Sequence, residues 1–158
     1  MLLCYDNGIM KIEKIIFLDF DGVVVTAETR FLTLAPSCVA HLKHIINETN
    51  AFIVVSSVWR KHHSLAKLKA MFEPFGMFNR IIDVTCVMNE DRCRGREIDA
   101  WLKDPHPMSF EINGFAILDD DSDMEPHMNH LVKINGHKGL TEDDAKKCIK
   151  TLDIPLSS

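Results

Sequence analysis

With 158 residues, 46% of them apolar and 26% charged, the chain has the composition of a soluble globular protein long enough to bury a real hydrophobic core. Its net charge of −5 argues against a general nucleic-acid binder, although charge can be local, and no apolar run approaches the ~20 residues of a membrane span. Five scattered cysteines (Cys4, Cys38, Cys86, Cys93, Cys148) contain no Cys-x-x-Cys, which argues against a disulfide framework or a zinc site and for a reducing, cytoplasmic setting.

Residues 1–12 are weakly patterned and are expected to be an extra edge element or disordered within a single domain spanning 1–158. The opening segment lacks the basic flank and apolar stretch of a secretory signal. Lys14–Val25, KIIFLDFDGVVV, is the first strong signal. Ile15, Ile16, Phe17 and Leu18 run without alternation, as in a strand buried on both faces of a parallel sheet. Residues i and i+2 of extended chain point the same way, so Asp19 and Asp21 converge past the strand end, and Gly22 lets the chain turn. Carboxylates so close repel, and a bound cation is the usual relief.

Val23–Thr26 and Phe31–Leu34 predict a short hairpin over this site. Pro36-Ser37 opens a helix with Val39, Leu42, Ile45 and Ile46 at helical spacing, ending near Asn50; its His41 and His44 read as ordinary surface or partly buried histidines. Ala51–Val55 is a second buried strand, ending in Ser56-Ser57-Val58-Trp59-Arg60. A serine there is able to bind a phosphoryl oxygen, and equally to cap a turn. A helix follows around Ser64–Phe72, then a short strand over Arg80–Val84.

Asp91–Leu102, DRCRGREIDAWL, enters a helix with Arg92, Arg94 and Arg96 at its start, where the dipole prefers acids. Such local conflict tends to mark function, the bland reading being a surface basic cluster neutralised by Glu90, Asp91, Glu97 and Asp99. Pro105 and Pro107 break the chain. Gly114–Leu118 is another buried strand, delivering Asp119-Asp120-Asp121-Ser122-Asp123 to the same sheet edge as Asp19. Leu131–Ile134 reads as a last strand, and Thr141-Glu142-Asp143-Asp144 as a capping box opening a helix to about Leu152. His62, His63, His127 and His130 are expected to serve no catalysis. Strand–helix alternation implies a three-layer α/β/α sandwich with a mainly parallel, Rossmann-like sheet.

Taken in order, a strand into Asp-x-Asp-Gly, a strand into Ser, an Arg at a helix start and a strand into Asp-Asp resemble the haloacid dehalogenase (HAD) superfamily of phosphotransferases. SSVWR, RGREIDAWL, ILDDD and GLTEDDA are similar to the small HAD-like domains associated with Swiss-Army-knife RNA repair proteins. The resemblance implies Asp19 as nucleophile forming an aspartyl-phosphate, Asp21 as general acid and base, and Ser56 as the phosphoryl-binding hydroxyl. Arg94 takes the family's basic position, usually Lys, with Arg96 as the alternative; Gly22, Ser57, Arg60 and Arg96 would line the substrate. Asp120 would hold Mg²⁺ with the Asp19 carboxylate and the Asp21 carbonyl, supported by Asp119 or Asp123.

Neither Gly22–Ala51 nor Ser57–Arg94 leaves room for a cap domain, and an uncapped site suits a large substrate such as an RNA or DNA end. Arg60, Lys61, Lys67, Lys69, Arg80, Arg92 and Arg96 fall in the middle third and include candidates to guide a polyanion. A small-molecule or nucleotide phosphatase and a non-catalytic binding module are the alternatives. A phospho-receiver domain is disfavoured because its paired acids would follow the first strand, and a glycosyltransferase because the chain looks too short.

Overall fold

Ile15, Ile16, Phe17 and Leu18 have no exposed surface at all, which requires cover on both sides of the strand that carries them. In the computed structural model, which describes residues 5–6, 9–10, 12–90, 93–106 and 110–156, that strand is the middle of a five-stranded sheet. Two short strands precede it, β1 (Tyr5–Asp6) and β2 (Ile9–Met10), paired antiparallel as a separate two-stranded sheet. Then follow β3 (Ile12–Leu18), α1 (Pro36–Thr49), β4 (Phe52–Val55), α2 (Leu65–Met71), β5 (Ile81–Val84), α3 (Arg94–Lys103), β6 (Phe110–Asp119), β7 (Leu131–Lys133) and α4 (Glu142–Thr151).

The order across the sheet is β5-β4-β3-β6-β7, with each neighbouring pair parallel. The chain builds outward from β3 to β5, then returns through α3 to lay β6 on the other side of β3. Strand order therefore reverses beside β3, and the crevice outside the carboxyl ends of β3 and β6 is the place where such sheets bind ligands.

Alternation along the strands feeds two cores. Ile16, Leu18, Ile53, Val55, Ala116 and Leu118 pack with Leu42 of α1, Leu68 of α2 and Ala145 and Cys148 of α4. Ile15, Phe17, Val54, Phe115 and Ile117 pack with Ile98 and Trp101 of α3. The result is the α/β/α sandwich, with no separate cap among the described residues and no helix long and apolar enough to cross a membrane.

Local signals explain the helix ends. Ser64 caps α2 through Lys67 N–H, and Thr141 and Asp144 form a reciprocal capping box on α4. Asn50, left-handed at φ 57°, closes α1. His130 lies flat on the Phe115 ring at 3.9 Å with a ring nitrogen on the Phe115 carbonyl, while His127 meets Asp99.

Three expectations need correction. The hairpin over the site does not form: Val23, Val24 and Val25 N–H groups all donate to the Phe20 carbonyl, and a 3-10 turn at Ala27–Thr29 follows. A tight knot on one carbonyl leaves no ladder for a partner strand. Arg80 is buried, stacked on Phe52 and donating to Asn50 at the opposite end of the sheet, so it cannot guide a polyanion. The helix expected from Asp91 begins at Arg94; Asp91, Arg92 and Pro107 lie outside the described residues.

Phe17 meets Trp101 and Phe115 edge-on, with centroids 5.4 and 5.8 Å away, at the centre of the smaller core. Phe17→Ala is expected to cost about 3–5 kcal/mol in urea-induced unfolding, the range for a buried aromatic whose cavity cannot collapse.

Candidate active site

The parallel ladder runs one residue past each strand and holds the tips. Ser56 N–H donates to the Leu18 carbonyl, Asp19 N–H to Leu118 and Thr85 N–H to Val55, each at 3.0 Å, and Ile134 N–H donates to the Asp119 carbonyl at 2.8 Å. Side chains two apart share a face. Phe17, Val54 and Ile117 face α3, so Asp19, Ser56 and Asp119 turn toward α3 as well.

Helix α3 meets them with its first residue. Arg94 donates to an Asp119 oxygen at 2.5 Å and lies 3.4 Å from an Asp19 oxygen. Carboxylate oxygens of Asp19, Asp119 and Asp120 all fall within 4.8 Å of one another. Asp19 is 4% exposed and Asp119 not at all. Burial pushes both carboxyls up, neighbouring carboxylates push them further, and Arg94 restrains the rise; Asp119 reaches about 7. Burial works against the Arg94 cation, but Asp119 and Asp19 outweigh it and hold its pKa above the ordinary value.

Asp119 has a donor on each oxygen, Arg94 on one and Asp121 N–H at 2.9 Å on the other. Asp120 instead sits in a glycine cradle. A Cβ on Gly22 (φ +80°) would come 2.4 Å from an Asp120 oxygen, and one on Gly136 would come 2.6 Å from it. Two residues without side chains thus leave the Asp120 carboxylate room beside Asp19. Three clustered carboxylates with oxygen donors alone fit a hard divalent cation of the Mg²⁺ kind.

Ser57, expected at the substrate, accepts from Trp59 N–H, and its hydroxyl favours the ionised form of the Asp19 carboxylate. Ser56 Oγ is fully buried and has no partner, and neither has Thr85 Oγ1 beside it on the next tip. A buried hydroxyl without a partner is costly unless a ligand completes it. Thr85 was not singled out by the sequence; the signal for it is a hydroxyl at a strand's end in register with Ser56.

Several expected residues are placed elsewhere. Arg60 borders the polar cleft beside Arg94, but its guanidinium is committed: it donates to the carbonyls of Ser56, Ser57, Thr85 and Cys86 and to the Glu97 carboxylate, with 2% of its side chain exposed. It is a clamp between two strand tips and α3, and Glu97 also accepts from Met88 N–H. Asp123 stands outside the acid cluster, because its carboxylate accepts from Arg94 N–H at 3.2 Å and so caps α3. Arg96 is exposed one residue past Gly95 and lines a different hollow with Asp99 and Lys103. Asp21 lies outside the carboxylate cluster too, accepting from the Trp59 indole at 3.1 Å.

Gly95 explains how α3 comes close enough. A Cβ there would lie 2.3 Å from the Glu125 carbonyl oxygen, so only glycine lets the first turn seat against the loop after β6. Beside Arg94 opens a polar cleft of about 420 Å³ lined by Lys61, Asn89, Glu97 and Asp123. A larger hollow of about 600 Å³, around His106, Phe115, His127 and Leu156, shares no residue with the acid cluster.

A parallel α/β sheet whose adjacent strand tips carry clustered aspartates, the first within Asp-x-Asp-Gly, reached by a helix-borne arginine, defines the haloacid dehalogenase class. Within that class, residues 15–145 match the family described as the HAD domain in Swiss Army Knife RNA repair proteins, and the chain belongs to it. Membership supports a phosphatase-like activity in general terms. No curated protein and no solved structure matches the chain.

Two outcomes follow from the electrostatics. Because the folded Asp119 titrates near 7, above its ordinary 3.8, the folded state binds the extra proton across that window, and stability falls as pH rises through it. The metal-free melting temperature is therefore expected to drop between about pH 5 and about pH 8, and added Mg²⁺ to raise it more at the higher pH. Arg60→Leu, which strands the buried Glu97 carboxylate, is expected to cost about 3–5 kcal/mol in chemical unfolding.

Proposed function

We propose that the protein is a Mg²⁺-dependent phosphomonoester hydrolase acting through an aspartyl-phosphate, with a phosphorylated RNA or DNA end as substrate. The observation that carries this reading is the convergence of two further carboxylates, Asp119 and Asp120, and one guanidinium on Asp19. Asp19 is the nucleophile, and the Ser57 hydroxyl and Arg94 favour its ionised form against the cost of burial. Mg²⁺ held by Asp19 and Asp120, with Asp119 in support, would neutralise charge on the phosphoryl oxygens.

Arg94, steadied by Asp119, offers the phosphoryl group its remaining donors, and Ser56 Oγ is free to donate to a phosphoryl oxygen. Arginine in the position where the family usually has lysine presents a planar fork, and here one arm is committed to Asp119. Asp21 protonates the departing oxygen and afterwards takes a proton from the water that hydrolyses the aspartyl-phosphate. Arg94 bonds Asp119 and lies 3.4 Å from Asp19, and the three carboxylates are already clustered, so the reacting groups need little rearrangement before transfer.

The substrate class rests on the open rim. Without a cap, a chain end can reach Asp19, and Lys61 beside Arg94 gives its backbone phosphates a basic approach. The family's association with RNA repair proteins is consistent with that class.

The test is Mg²⁺-dependent phosphate release from 3′- and 5′-phosphorylated oligonucleotides, from free nucleotides and from p-nitrophenyl phosphate. Asp19→Asn is expected to lower kcat by on the order of 10³-fold or more on every substrate while leaving the fold intact. Oligonucleotides are expected to show the highest kcat/KM. A preference for free nucleotides would replace the polynucleotide reading by the small-molecule one, and no release from any ester would leave a binding module.

A further inference from the structure

We propose that Trp59 is a positioning residue for the acid step, its indole N–H holding one oxygen of Asp21 so that the other faces the departing oxygen of the substrate. The proposal rests on the phosphatase reading and refines it. Trp59 Nε1 lies 3.1 Å from Asp21 Oδ2. An indole nitrogen only donates, so the oxygen it touches must accept. Of the two oxygens of a carboxylic acid the carbonyl oxygen is the better acceptor, so the indole favours the arrangement in which the opposite oxygen carries the transferable proton during the acid step.

The donor is held rigidly. Trp59 packs against Phe20 at 5.4 Å and His63 at 5.5 Å. Its own N–H is capped by Ser57 Oγ, and the following residue is Arg60, whose guanidinium is tied to the tips of β4 and β5 and to α3. The acceptor side is fixed as well, because Asp21 bridges to Val25 and Gly22 N–H donates to the Val25 carbonyl at 2.8 Å. Donor and acceptor thus stand on two separately anchored turns. Such preorganisation keeps a flexible carboxyl in one rotamer before substrate arrives. The Asp21 side chain also lies outside the cluster formed by Asp19, Asp119 and Asp120.

The step balances as follows. An Asp19 oxygen donates an electron pair to phosphorus, the bond from phosphorus to the ester oxygen breaks, and its pair stays on that oxygen. The Asp21 proton neutralises it, leaving an alcohol and an Asp21 carboxylate that now accepts the indole hydrogen bond with full charge. In the second half that carboxylate takes a proton from water as the water oxygen attacks phosphorus and the Asp19 bond breaks.

A residue acting through the acid matters in proportion to how badly the leaving oxygen needs a proton. The experiment compares a phosphorylated oligonucleotide, whose sugar alkoxide is a poor leaving group, with p-nitrophenyl phosphate, whose phenolate departs unaided. Trp59→Phe is expected to lower kcat on the oligonucleotide by about 10–100-fold, part of the ~10²–10⁴-fold that general acids supply, and on p-nitrophenyl phosphate by less than about threefold. KM is expected to hold on both. Asp21→Asn is expected to show the same leaving-group pattern more strongly, and the double variant to be no worse than Asp21→Asn alone. Replacing Trp59 by 3-benzothienylalanine keeps the bicyclic shape and removes the donor, so it must reproduce the Phe result if the hydrogen bond is the cause; it also carries the test should the Phe variant misfold. Equal losses on both esters, or losses that add in the double variant, would overturn the role of Trp59. Absence of any leaving-group pattern in Asp21→Asn would instead overturn the acid assignment on which it rests.

Discussion

The arrangement turns on two buried carboxylates, Asp19 and Asp119, that stand on adjacent strand tips and share one guanidinium. Two negative charges against one positive leave an excess in a region with almost no access to water, and that excess raises both carboxyls. The backbone gives no way out: ladder hydrogen bonds at 3.0 and 2.8 Å flank each tip. The edge is consequently a place where a proton or a cation binds favourably, and where an incoming phosphoryl group finds a ready counter-charge in Arg94. Proposed chemistry and local instability have the same origin.

Helix α3 shows how the fold tolerates that concentration of charge. Its first turn carries Arg94 and Arg96 where the dipole is positive, and its N-cap, Cys93, makes no side-chain cap. The compensation comes from Asp123, whose carboxylate takes the Arg94 N–H, and from Gly95, which lets the helix sit close enough for that contact. One turn on, Glu97 completes the Arg60 clamp. A single helix therefore delivers a cation to the acids and locks the β4 and β5 tips, which is why a sequence locally unfavourable for a helix start is stable in place. Among the described residues α3 is the helix that covers this face of the sheet core, and it begins where Arg94 meets Asp19.

Much of this was legible in the chain. Unbroken apolar runs ending in Asp19, Ser56 and Asp119 gave the buried parallel strands and the polar residues at their ends, because strand burial and side-chain alternation are dictated by period alone. The Thr141–Asp144 capping box was equally local. The choice between Arg94 and Arg96 was not: it depends on which residue begins the helix and on the rotation of α3 about its axis, and both follow from packing. Nor was the Arg60 clamp legible, because a cation after a Ser-Ser turn has no sequence mark for the Thr85 and Cys86 carbonyls and the Glu97 carboxylate that wait on two other segments. Asp123 looked like a cation ligand because its partner lies 29 residues away. The flap after Gly22 misled because β-branched residues favour strands, whereas three N–H groups converging on one Phe20 carbonyl fold them into a knot.

The sequence by itself determined the strands, their order along the chain and the residue types at their ends, since these rest on short-range periodicity and on the chemistry of single side chains. The tertiary structure alone decided which charges neutralise one another: Arg94 to Asp119 and Asp19, Arg60 to Glu97, Asp123 to the helix start and Trp59 to Asp21. Those pairings join segments far apart in the chain, and their strength comes from low-dielectric burial, a property that no residue has until the sheet and α3 have closed around it.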